Sequence, residues 1–511
     1  MKVVLVICPS WDIDSPPYNL ALLKAILKKE GIDCTCLDFN FDFFNSLTNE
    51  PEKESWKSMS KGTCWYSSEF SSMLIKKYSS FVQEYIKKII EINSDVIGFT
   101  LNQRNRFFSY EIIKKIKEKV VHKPIILGGP TCFRDDVGVR VLYESCADAV
   151  CMGEGERSFV EYLKIAEKKG RVDFCPGFAI KNKKGEIVDC GNAEIIEDLN
   201  MLPFADFSDF DTKNYLVKKL TLLTSRGCIR KCSFCAETHK MNKFRSRSGE
   251  SIYKEVFFHL NRYPFIEEFE FADSLINGDI SILDKFCDLV LQNDLKFRWK
   301  GQAVIRKEMV SGFLKKLGKT NCETLSYGVE SGSDKILERM KKGYNAELAE
   351  EVLRNTFEAG IGINFNIIIG FPGEGEVEFQ KTVEFVERNL KYANTVTLNI
   401  LSVDKTSELH EENKKYGICF PDKEEMDWYT EDGANTMIKR IERLKILQGI
   451  VKEKSSVDLY KEISLDLKLG DKFLSLGQND RALEYYYKAK KNATDENILS
   501  IVEAKISLIK T

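Results

Sequence analysis

Three cysteines fall within eight positions of SRGCIRKCSFC (225–235): Cys228, Cys232 and Cys235, spaced C-x3-C-x2-C and flanked by arginines and a lysine. Thiolates this close on one loop converge on a single metal centre. His239, four positions beyond Cys235, would complete a Cys3His tetrahedron and a closed zinc site without chemistry. An iron–sulfur cluster is also held by closely spaced thiolates, and three ligands to a four-iron cluster leave one iron open to an exogenous ligand. Three unrelated structural cysteines are disfavoured by the spacing and by Gly227 and Phe234 beside them.

The elements expected around the trio bear on the choice. From residue 216 to about 430, apolar runs alternate with helical stretches. Strands are expected at 220–227, 269–274, 298–304, 324–331, 363–370 and 395–403, with helices such as 280–293 and 379–392 between them. Six such units make a partial (β/α)6 barrel of the TIM type, whose chemistry sits at the C-terminal ends of the strands. The trio directly follows the first strand, which suits an open catalytic cluster better than a closed zinc site. At the end of the fourth strand, an unpaired Glu330 in a barrel mouth is costly unless it is used, and Gly328 and Gly332 permit close approach beside Ser331. Asn366 and Ile368 lie on the fifth strand, where barrel packing competes with a ligand role for Ile368.

Residues 1–190 read as a Rossmann-like α/β domain, with strands at 2–9, 34–40, 95–101, 124–130 and 148–155 and helices at 19–31, 110–120 and 156–170. Ligands of such sheets bind at the carboxyl ends of the strands, which directs attention to loops 9–17, 100–106, 128–131 and 153–156. Gly128-Gly129-Pro130 allows close backbone approach, although a tight turn explains it equally well. Without G-x-G-x-x-G in these loops, an ordinary dinucleotide site is disfavoured. Residues 41–80 interrupt the rhythm with an aromatic insertion, a lid or packing flap, that contains Trp56, Trp65 and Tyr66. Residues 191–215 read as a linker and KNKKGE (181–186) as an exposed hairpin turn. Residues 431–511 read as helical, and the spacing of Gly470, Phe473, Gly477, Ala482, Tyr486 and Ala489 resembles one tetratricopeptide repeat, a helical hairpin rather than a solenoid.

A chain of 511 residues is long enough for two to four domains, and its 43% hydrophobic and 30% charged residues suit a globular protein. The net charge of −2 argues against an electrostatic grip on nucleic acid. No run approaches a membrane span or an export signal, so the expected location is the cytoplasm, where the 15 cysteines stay reduced.

CIRKCSFC resembles the cluster motif of the radical S-adenosylmethionine (SAM) enzymes. FRSRS (244–248), YGVESGSDKILERMKKG (327–343) and NIIIGFPGEGEVEFQKTV (366–383) are similar to further motifs of that family's barrel, in the same order, so the resemblance spans about 215–405. It implies a [4Fe-4S] cluster on Cys228, Cys232 and Cys235, SAM on the open iron, and SAM contacts from Phe234, Glu330, Ser331, Asn366 and Ile368. Reductive cleavage would give methionine and a 5′-deoxyadenosyl radical. An electron donor such as flavodoxin or ferredoxin and a small-molecule or peptide substrate are the partners implied. SDVIGFTLNQRN, PIILGGPTCF and ADAVCMGEGERSFVEYL resemble the cobalamin-binding domain of one branch of the family. That resemblance implies cobalamin contacts from Trp11, Thr100, Asn102, Gln103, Arg104, Gly128, Gly129, Pro130, Gly153 and Glu154. The D-x-H-x-x-G motif is missing, and His122, the domain's only histidine, precedes a strand; Asn102, Gln103 or Arg104 would then lie beneath the corrin ring. The function expected is methylation of an unactivated carbon through methylcobalamin. The alternatives are cyclisation or rearrangement with the same cofactors, or a zinc-binding scaffold.

Overall fold

The computed structural model describes all residues except 49, 58–60, 134–135, 238–242, 422–427, 453–465, 468, 472, 475–476, 494–495 and 511. Most of residues 1–301 form one compact unit; the cysteine loop from Cys228 and residues 302–511 form a second.

In the first unit, β1 (Lys2–Ile7), β2 (Asp33–Asp38), β3 (Val96–Thr100), β4 (Ile125–Gly128) and β5 (Ala149–Cys151) join a short hairpin of β6 (Phe178–Lys181) and β7 (Ile187–Asp189) in one sheet, ordered β2-β1-β3-β4-β5-β6-β7. The first five run parallel, with Val4 opposite both Thr35 and Ile97. Their near-continuous apolar runs are those of strands covered on both faces: all five residues of β3 are buried. The order reverses between β1 and β3, and a crevice for a ligand opens at the carboxyl ends of the strands at such a switch point. The hairpin adds an antiparallel edge that the apolar pattern did not announce, because FAIK and IVD are too short to show a period. The turn expected at 181–186 joins its strands, with Asn182 Oδ1 accepting from the amides of Lys184 and Glu186.

The aromatic insertion packs. Helices Phe39–Ser46, Glu50–Lys57, Ser68–Lys77 and Ser79–Glu91 carry it, and Trp56 meets Trp65 edge to face at 4.6 Å, both buried. Tyr66 alone of the three expected aromatics is exposed. Residues 191–215 contain one 3-10 turn and otherwise run along this unit. Tyr215 stacks on Phe41 at 4.0 Å and donates to Asp38 at 2.7 Å, and Asp209 pairs with Lys24.

The barrel strands follow. In the first unit β8 (Lys219–Leu222) is succeeded by a two-residue ribbon of β9 (Ser225–Arg226) and β10 (Arg245–Ser246), then by β11 (Glu268–Phe271) and by β12 (Arg298–Ala303), whose last two residues belong to the second unit. β11 pairs in parallel with β8 and β12. In the second unit β13 (Cys322–Glu330), β14 (Gly362–Ile369) and β15 (Thr395–Ile400) pair in parallel. These are the six β/α units of a partial (β/α)6 barrel. Along β14 the buried Ile363, Phe365 and Ile367 alternate with half-buried Asn364 and Asn366, so one face packs on helices and the other stays polar.

Past the barrel come β16 (Ile418–Cys419), β17 (Tyr429–Thr430) and helices Met437–Val451, Asn479–Asn492 and Glu496–Lys510. The last two pack on each other. In the repeat-like segment Gly470 lies against the buried ring of Tyr486, where a Cβ would come within 2.2 Å of it. No helix among the described residues is long and apolar enough to cross a membrane.

Candidate functional site

Within the first unit, polar groups hold the residues that precede the cysteine loop in the chain. Asp273, just past β11, accepts from the amide of Thr224 at 2.8 Å, from its hydroxyl at 3.1 Å and from the amide of Ser225. Burial pushes the Asp273 carboxyl up to about 6, and these donors oppose the rise. In the β9–β10 ribbon, Arg226 and Arg245 both pair with Glu154, and Arg226 also pairs with Glu156; their side chains are nearly inaccessible.

Within the second unit, Cys228, Cys232 and Cys235 are half-buried. The amide of Arg230 points to Cys228 Sγ at 3.4 Å and that of Cys235 to the carbonyl of Cys232 at 3.1 Å. The loop is pinned from both sides. The Ser233 amide donates to Met340 O at 3.1 Å, its hydroxyl donates to Arg339 O at 3.2 Å, and its carbonyl accepts from Leu409 N at 3.0 Å. The Arg230 guanidinium donates to Ile305 O at 3.0 Å. Burial pushes the Cys232 thiol up to about 11, while the nearby Lys342 ammonium pulls it down. Bound iron would deprotonate it outright. Among the described residues no three His, Cys, Asp or Glu side chains form a single-ion site, and His239, which the zinc reading needs, lies outside the described residues.

Lys342, absent from the sequence-derived set, stands beside the loop. Its ammonium lies 3.5 Å from Glu330 Oε1, both side chains are at most a tenth exposed, and the rings of Phe234 and Tyr344 each lie 5.7 Å away. Lysine in MKKG reads as a solvated charge, and only the fold buries it. The backbone explains how Glu330 meets it. β13 shifts register between Gly328 and Glu330, and Glu330 takes φ 72°, the left-handed region. The carboxylate therefore lies over Gly328, where a Cβ would come within 2.4 Å of it. Tyr344 holds the bulge by donating to the carbonyls of Gly328 at 2.8 Å and Val329 at 2.9 Å. Burial raises the Glu330 carboxyl and Lys342 opposes the rise; burial works against the ammonium, but Tyr344, Glu330 and Cys232 outweigh it and keep Lys342 charged. Ser331 is turned inward, to Thr382 Oγ1 at 3.1 Å. Ile368 is buried in an apolar core against which Phe234 packs. Asn366, half-buried, lies opposite Gly328 and Thr397.

The other expected residues gather at the carboxyl ends of β1, β3, β4 and β5. Trp11 donates its amide to Asn40 at 2.8 Å, and Thr100 Oγ1 accepts from Asn19 at 2.8 Å. Asn102 Oδ1 caps the turn through the amides of Arg104 and Asn105, Gln103 is exposed, and Arg104 reaches Ser55 O at 3.0 Å. Gly129, at φ 106°, has no room for a Cβ, which would meet Thr100 Oγ1 at 2.6 Å; Gly128 and Gly153 face open space and Pro130 is exposed. Glu154 is occupied by the two arginines. Ser10 Oγ and Arg104 Nε are buried here without a hydrogen-bond partner among the described residues. Bare glycine backbone beside unsatisfied polar atoms fits a large ligand with polar substituents.

Residues 222–386 match the model of the radical SAM superfamily. An uncharacterized methyltransferase of Pyrococcus horikoshii is 26% identical over 318 residues, covering 60% of this chain and 68% of that protein. Among solved structures, the cobalamin-dependent SAM radical enzyme OxsB with aqua-cobalamin bound superposes with TM-score 0.68 at 16% identity, over 99% of this chain and 75% of that one. The radical SAM methyltransferase TsrM from Kitasatospora setae, with cobalamin and a [4Fe-4S] cluster bound, gives TM-score 0.60 at 17% identity over 82% and 76%. With the three-cysteine loop behind its first barrel strand, residues 222–386 form a radical SAM domain, and the chain has the fold of the cobalamin-dependent radical SAM enzymes to which it is similar.

Proposed function

We propose that the protein is a cobalamin-dependent radical SAM methyltransferase that modifies an unactivated carbon of a small-molecule or peptide substrate. A [4Fe-4S] cluster, when bound, supplies the electron that cleaves SAM to methionine and a 5′-deoxyadenosyl radical, and cobalamin supplies a methyl group. Cys228, Cys232 and Cys235 would hold the cluster. The observation that carries the reading is the buried Lys342–Glu330 pair facing those cysteines. The charged and nearly inaccessible Lys342 ammonium is suited to a carboxylate and Glu330 to an ammonium or hydroxyl, the groups that SAM carries. Phe234, Asn366 and Ile368 would bound the adenosyl part. Ser331, bonded to Thr382, would shape the turn. The rim of Trp11, Thr100, Asn102, Gln103, Arg104, Gly128, Gly129, Pro130 and Gly153 would receive cobalamin, with Glu154 holding that rim to Arg226 and Arg245.

Methyl transfer rather than rearrangement is supported by the methyltransferase names of the Pyrococcus relative and of TsrM. The test is an anaerobic incubation of protein reconstituted with iron, sulfide and cobalamin, using a low-potential reductant such as titanium(III) citrate and SAM with a deuterated methyl group. Corrin absorption that stays with the protein through gel filtration and a deuterated methyl on the recovered cobalamin are expected. Unlabelled cobalamin beside normal 5′-deoxyadenosine formation would contradict methyl transfer.

A further inference from the structure

The helix Met437–Val451 follows the barrel and carries two buried arginines one turn apart, Arg440 and Arg443, 0% and 4% exposed. Arg443 Nη1 donates to the carbonyl of Glu374 at 3.1 Å and to its Oε2 at 3.2 Å. The same Oε2 accepts from the amide of Gly370 at 2.8 Å. One arginine thus closes the turn Gly370–Glu374 that leaves β14. The Arg440 guanidinium lies 4.0 Å over the ring of Trp428 and donates to Trp428 O at 2.8 Å and Asn435 Oδ1 at 3.3 Å. Those two partners reach the same mouth. Asn435 Nδ2 donates to Phe371 O at 3.2 Å, and Trp428 Nε1 donates to Leu401 O, just past β15, at 3.1 Å. Gly370, at φ 85°, makes room for the arginine stem, since a Cβ would lie 2.3 Å from Arg440 Cγ and Cδ. Trp428 also shares its apolar core with Ile368, Phe371 and Leu401, against which Phe234 of the cysteine loop packs.

Burying two guanidinium groups carries a desolvation penalty that well-packed apolar residues would avoid. A helix serving only as scaffold has no need of them. What both arginines accomplish is to fix main-chain atoms at the ends of β14 and β15, the end of a barrel at which chemistry is done. We infer that Arg440 and Arg443 are positioning residues that set the ends of β14 and β15 for SAM, making the helix after the barrel part of the SAM site. The inference rests on the reading of this mouth as a SAM site; Arg443 acts through Glu374 on Gly370 and Phe371, and Arg440 acts through Trp428 on Leu401 and Ile368.

The experiment uses the full chain reconstituted with iron and sulfide and measures SAM affinity by equilibrium dialysis, together with iron content, melting temperature and the change in the reduced protein's electron paramagnetic resonance signal on adding SAM. Arg443→Gln is expected to weaken SAM binding about tenfold and to blunt that spectral change at unchanged iron content, with Arg443→Lys intermediate. Glu374→Gln keeps the shape of the turn and decides the matter if Arg443→Gln does not fold, with a loss of about threefold expected. Unchanged SAM affinity in the folded variants, with only a lowered melting temperature, would overturn the inference. A wild-type protein that holds iron yet binds no SAM would instead overturn the reading of the site, and the inference with it.

Discussion

At the scale of single residues, the site depends on charges that meet only in the fold. Cys228, Cys232 and Cys235 were legible because their spacing is their chemistry. Glu330 was legible as a carboxylate needing a reason to be buried, but its left-handed backbone and the register shift at Gly328 that bring it to Lys342 leave no mark on residue type. Lys342 reads as one lysine among many. It also yields a sharp prediction. If its ammonium receives the carboxylate of SAM, Lys342→Met removes a charged hydrogen bond of about 1.5–3 kcal/mol and should raise the dissociation constant for SAM about 10- to 100-fold. Lys342→Arg should recover part of that loss, and iron content should not change. Equilibrium dialysis checks this; equal affinity in wild type and Lys342→Met would remove Lys342 from the binding site.

At the scale of elements, the parallel strands were legible because apolar runs of five or six residues have little other use, whereas the β6–β7 hairpin is too short for any pattern to emerge. The insertion at 41–80 left lid and packing flap open, and the burial of Trp56 and Trp65 decides for packing. Asp273, which holds Thr224 and Ser225, carries a pH dependence. Its folded-state value of about 6 lies above the ordinary carboxyl value of about 3.9. Between those values the folded protein holds a proton that the unfolded chain has released. Asp273 therefore makes stability fall as pH rises from about 4 to 6, by up to about 3 kcal/mol, and then level off. Asp273→Asn, which keeps an acceptor for Thr224 and Ser225, should flatten the profile of melting temperature against pH in that window. A profile as steep as wild type would show that Asp273 does not titrate there.

At the scale of the whole molecule, the sheet domain and the barrel strands could be anticipated from alternation, because each β/α unit repeats one local rule. What escaped was the work of residues distant in sequence. The Arg226–Glu154–Arg245 contact and the Arg443–Glu374 pair join segments 69 or more residues apart, and no short motif encodes them. All of the proposed chemistry depends on the trio holding an open iron–sulfur cluster that cleaves SAM, and one measurement tests this directly. Anaerobically purified protein reconstituted with iron and sulfide is assayed for bound metal and, with reductant and SAM, for 5′-deoxyadenosine, beside Cys232→Ala. About four irons per chain and 5′-deoxyadenosine are expected from the wild type, with both lost in the variant. One zinc per chain with no iron, or 5′-deoxyadenosine undiminished in Cys232→Ala, would contradict it.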